Sequence, residues 1–201
     1  GSDMLYRHVV EPYIDWSLVP EPNLRPSEIY QFDNIDSLDK DHSVKMGVRQ
    51  LVERKTPEGD ISKIFDLDLY AIYCFEDAND EDGFKYYGAD CVWYISDDIK
   101  LDADTRYNAF KDDFEHVDVW LSLWQGDRWE MSGECYYIPD DVTLFRGDIR
   151  CNFSDYWAAG FYARYDAEAS RCEQITGYVQ YNLAGVYPEN NHGLKIKKKL
   201  D

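Results

Sequence analysis

The chain has 201 residues, 44% of them hydrophobic and 16% aromatic, and carries a formal charge of −19 with an isoelectric point near 4.4. So many rings and β-branched residues exclude a disordered chain, and no apolar run reaches the length of a membrane-crossing helix. A field this negative repels DNA, RNA and anionic membranes, so neither nucleic acid nor membrane is expected as a partner.

Residues 1–3 (Gly1, Ser2 and Asp3) read as an expression scar, followed by one β-rich domain over residues 4–201. "MLYRHVVEPYIDW" has no hydrophobic signal core, so a cytoplasmic protein is expected; a secreted chain already stripped of its signal is the alternative. Residues 5–26 contain Pro12, Pro20, Pro22 and Pro26. They read as an irregular segment, with an edge strand at Val9–Ile14. Ser27 can cap a short helix reaching Phe32. A strand is expected from Val44 to Arg54, then a turn at "TPEGD". In "KIFDLDLYAIYCF", Phe65, Leu67, Leu69, Ala71, Tyr73 and Phe75 share one face, leaving Asp66, Asp68 and Tyr70 to water.

"EDANDEDG" interrupts the pattern and "ADCVWYIS" resumes it. Tyr107, Phe110 and Phe114 then recur at spacings of three and four behind a capping aspartate, which predicts a helix over Asp104–Phe114. A hairpin follows in "VDVWLSLWQGDRWEMSGECYYIP". Strands are expected at Thr143–Phe145, Ile149–Phe153, Trp157–Tyr165 and Cys172–Leu183, before a short basic tail over residues 195–201. Eight to ten antiparallel strands with one or two short helices point to a β-sandwich, with a closed β-barrel as the alternative.

The hairpin turn decides which rings face outward. An even loop pairs Trp124 with Trp129 and mixes apolar with charged groups on both faces. An odd loop, of three or five residues, puts Val117, Val119, Leu121, Leu123, Trp129, Met131 and Cys135 on one face. The other face then takes Trp120, Ser122, Trp124, Glu130, Ser132 and Glu134. Burying an unpaired carboxylate costs several kcal/mol, about what a buried ring returns, so the odd loop is expected. Trp120 and Trp124 would then stand roughly 13 Å apart on the far side of a dry Leu/Val face.

Charge concentrates between Glu76 and Asp118, where fourteen acidic residues face four basic ones. Asp77, Asp80, Glu81, Asp82, Asp97 and Asp98 are the candidate acidic patch, with Trp120, Trp124 and Tyr136 as aromatic anchors. A calcium loop at Asp77, Asn79 and Glu81 is a weaker alternative, because Gly83 sits one place late for an EF-hand and no Glu closes it. Cys74, Cys91, Cys135, Cys151 and Cys172 contain no CxxC spacing and lie in or beside strand-like runs, Cys91 and Cys135 alternating with core positions, so buried free thiols are expected, with two bridges and one spare thiol in a secreted chain as the alternative. Four scattered histidines and the absence of glycine-rich phosphate loops leave catalysis without a motif, and no cofactor is expected. The expected function is a non-enzymatic, acidic protein-binding domain, of an inhibitor or immunity type, that neutralises a basic partner. A carbohydrate-binding module built on the exposed rings is the alternative.

Overall fold

A computed structural model describes residues 5–20, 40–56, 59–76 and 82–181. They form ten strands: β1 (Leu5–Val19), β2 (Asp41–Lys55), β3 (Ile61–Glu76), β4 (Gly83–Ser96), β5 (Ile99–Asn108), β6 (Asp113–Gln125), β7 (Trp129–Ile138), β8 (Val142–Asn152), β9 (Trp157–Asp166) and β10 (Arg171–Tyr181). All ten lie in one sheet in chain order, each antiparallel to the next. No helix occurs among the described residues, and so none long and apolar enough to cross a membrane.

The β-sandwich expectation is overturned, and so is its barrel alternative. Among the described residues there is no second sheet, and β1 and β10 do not pair. From β2 onward every connection is short, the β4–β5 turn being only residues 97–98. Short turns return each strand beside its predecessor and leave no length to cross into another layer. The "irregular" N-terminal segment is also corrected, because Leu5–Val19 pairs with β2 along its whole length. Pro12 fits there because an edge strand has one side free of ladder bonds.

The helix expected over Asp104–Phe114 is likewise a hairpin. Tyr107 and Phe114 are partners across the β5–β6 turn, with ring centroids 5.5 Å apart. Two rings facing each other over a tight turn reproduce a helical spacing in sequence. The two strands expected at Thr143–Phe145 and Ile149–Phe153 are the single strand β8, because Arg146 and Asp148 occupy polar positions in an unbroken alternation. The helix expected at Ser27–Phe32 lies outside the described residues.

Register sorts the side chains into two unlike faces. One carries Phe65, Leu67, Leu69, Ala89, Cys91, Leu101, Val119, Leu121, Met131 and Phe145. The other carries Arg49, Asp66, Asp68, Asp90, Asp104, Asp118, Glu134 and Arg146. Among the described residues the seven that are buried, Ser43, Tyr70, Cys74, Asn108, Glu134, Leu144 and Ala158, all belong to the polar face. With no layer above it, the polar face shelters these groups under its own long side chains, while the apolar face is bare: Leu69 is 41% exposed and Phe145 47%.

Candidate functional site

Three tyrosines lie flat on the polar face, each over a glycine of the adjoining strand. A Cβ at Gly47 would meet Tyr13 at 2.5 Å, at Gly88 Tyr70 at 2.1 Å, and at Gly160 Tyr178 at 2.3 Å. Each pair is directly opposite in register. The absent side chain lets a ring cover the strand. Tyr13 Oη donates to Asp68 Oδ2 at 2.8 Å, and Lys45 stands over the Tyr70 ring, 3.8 Å from its centroid.

Asp68, Asp90, Asp104 and Asp118 form a row across β3, β4, β5 and β6. Neighbouring strands are about 4.8 Å apart, so the row spans about 14 Å. Its ends differ. Asp68 has Tyr13 and, at 3.9 Å, Lys45. Asp104 contacts His116 Nε2. Asp68 Oδ1 and Asp118 Oδ1 are both shut away from water and meet no hydrogen-bond donor among the described residues; the difference is that Asp68 Oδ2 accepts from Tyr13. Beside the row, Arg49 Nη2 reaches Asp66 at 2.6 Å, Lys100 reaches Asp102 at 2.8 Å, and Arg146 Nη1 reaches Glu134 Oε2 at 3.0 Å.

The expected aromatic anchors meet at this end of the row. Tyr136 is opposite Asp118, and Trp120 is opposite Glu134 in the next pair. Trp120 Nε1 donates to Ser122 Oγ at 2.9 Å, which fixes the ring. Trp124 is two same-face positions further on, where its backbone N–H donates to the Asp98 carbonyl at 2.9 Å. All three rings are half-buried on the polar face.

The β6–β7 loop is odd, as expected, but covers residues 126–128, so pairing slides by two residues from the expected Leu123 with Trp129 and Val117 with Cys135: Leu123 meets Met131 and Val119 meets Cys135. The face assignment survives this slide because an even shift preserves sides. The expected dryness of the Leu/Val side does not survive. Leu121 is 38% exposed and Trp129 46%.

The acidic patch is not brought together. Asp82 precedes β4 and Asp97–Asp98 follow it, about 45 Å away along the strand. Asp97 is paired with Arg54 at 3.0 Å. Asp77, Asp80 and Glu81 lie outside the described residues, as does the calcium alternative at Asp77, Asn79 and Glu81. Among the described residues no group of three or more His, Cys, Asp or Glu side chains is disposed to hold a metal ion. All five cysteines are free: Cys74 is buried, Cys91, Cys135 and Cys151 are half-buried, and Cys172 is exposed.

The aspartate row is absent from the sequence reading. Its signal there is faint: "FDLDLY", "GADC", "LDADT" and "HVDVW" each hold an aspartate at a polar position of an alternating strand. Only the register between strands lines them up. No family model matches the chain, and no curated protein matches it.

Proposed function

We propose that this is a non-enzymatic binding protein that receives a basic partner on its polar face, at the end of the aspartate row between β5 and β8. Asp118 carries the reading. Among the described residues its sheltered carboxylate oxygen meets no donor; Tyr136 stands opposite it and Trp120 two residues along the same strand. A lysine or arginine of a partner would supply the missing donor and lie against the two rings, where cation–π attraction adds to the ion pair. Neutralising such a partner, as an inhibitor or immunity-type protein does, is the role this binding serves. The net charge of −19 would speed the encounter.

The probe is an arginine-rich peptide, with affinity measured at low and high salt. Binding is expected to weaken steeply with salt and to fall about tenfold or more in Asp118→Asn. Affinity unchanged in that variant, or insensitive to salt, overturns the reading.

A glycan-binding reading has one observation in its favour: Trp120, Trp124 and Tyr136 share one face of two adjacent strands. Stacking on sugars is indifferent to salt, so oligosaccharide binding that persists at high salt and is lost in Trp120→Ala would select it.

A further inference from the structure

We infer that the apolar face is a lipid-contacting surface, and that the chain is a wall subunit of a membrane-inserted β-assembly. Three independent features of that face carry this.

The face is free of charge across the sheet. Between Phe65 in β3 and Tyr165 in β9, register puts no Asp, Glu, Lys or Arg on this side, in a chain with forty acidic residues. It also stands open: Leu69, Tyr87, Trp93, Leu121, Phe145 and Phe161 are each more than a third exposed, where a monomer in water shows only a few hundred Å2 of contiguous apolar surface.

Most of the large rings on this face fall in two bands, with Phe161 the exception between them on β9. Phe84, Tyr137 and Tyr165 mark one, and Trp93, Trp129 and Trp157 the other. The separations are nine residues in β4 and eight in both β7 and β9. Between the bands the face is mainly aliphatic or small, as at Leu121, Val119 and Ala89. Aromatic belts of this kind sit at the two interfaces of a bilayer. Eight residues are about 27 Å of strand, or about 21 Å of height at a tilt of about 40°, close to the apolar belt of membrane β-proteins.

Both bands drift in the same direction. The row of Trp93 runs through Leu101, Leu121, Gly133, Gly147 and Ala163, and Trp129 and Trp157 stand two and three same-face places beyond it; Tyr137 and Tyr165 lie in the rows of Ala89 and Cys91, two and three same-face places short of Phe84. Parallel drift is the trace that a flat slab leaves on tilted strands. A soluble interface has no need of it.

The polar face and its carboxylates stay away from hydrocarbon, so the net charge does not oppose insertion, and this inference stands apart from the reading of Asp118. The edges of β1 and β10 must be joined, because hydrocarbon cannot satisfy a free strand edge. Further copies of the chain, laid edge to edge, supply the partners.

The test uses the full chain and vesicles of phosphatidylcholine alone. The protein is expected to float with the vesicles and to stay bound through high salt and alkaline carbonate. In variants that keep one tryptophan and replace the rest with phenylalanine, brominated acyl chains should quench Trp93, Trp129 and Trp157 but not Trp120 or Trp124. Leu121→Arg should lower the inserted fraction about thirtyfold, and Ser132→Arg on the polar face should leave it within about twofold. A chain that remains in the aqueous phase, as monomer or as soluble dimer, overturns the inference. So does release by carbonate, equal quenching of the two sets of tryptophans, or equal effects of the two arginines.

Discussion

At Asp118 a carboxylate oxygen is held out of water and meets no donor among the described residues. Such a group opposes folding unless something outside the chain satisfies it. Asp118→Asn is therefore expected to leave the urea midpoint unchanged or to raise stability by about 1 kcal/mol, while weakening the basic probe. Stability and binding moving in opposite directions distinguishes a binding residue from a structural one. The glycines make a sharper contrast. Gly88→Ala drives a Cβ into the Tyr70 ring at 2.1 Å and should cost about 1–3 kcal/mol, read from the same midpoint. Gly133 has nothing nearer than 3.9 Å, so Gly133→Ala should be neutral or gain up to about 1 kcal/mol.

At the scale of the element, turn chemistry sets the register that sorts the two faces. Gly126, in the loop of the β6–β7 hairpin, has φ of 54°, where a side chain is crowded. Gly126→Val should destabilise by about 1–2 kcal/mol in thermal unfolding, and the wide space around the site leaves backbone strain as the cause. Strands were the legible part of this molecule. The β3 alternation from Phe65 to Phe75 can be read by eye, and the odd β6–β7 loop follows from keeping Glu130 and Glu134 off the side that carries Leu121 and Leu123, although Glu134 is in the end buried, on the polar face beside Arg146. The β5–β6 hairpin was not legible, because Tyr107 and Phe114 meet across a turn at the spacing of a helix face. The aspartate row was not legible for a different reason. Alternation gives the side of each strand that a residue occupies, but it leaves open which residues of neighbouring strands stand abreast.

For the whole molecule, the misreading was about what lies above the apolar face. Two-residue periodicity shows that one side of a strand is apolar, and a second layer was the usual way to cover it. The pattern says nothing about whether protein, lipid or water lies there. The finished sheet has another property that no single strand shows: each strand touches only its neighbours in sequence. Its stability is then close to a sum of nearest-neighbour terms, as in repeat proteins. Amide exchange should accordingly be slowest in β4–β7 and faster toward β1 and β10. Uniform protection across all ten strands would show instead that the edges are held.

The nearest-neighbour meander also frees its width from its identity. Excising β5 and β6 together would set β4 beside β7, still running in opposite directions and still with matching sides. A sheet built this way can be narrowed or widened by whole hairpins, as a folding screen loses or gains a pair of panels, without redesign of those that remain.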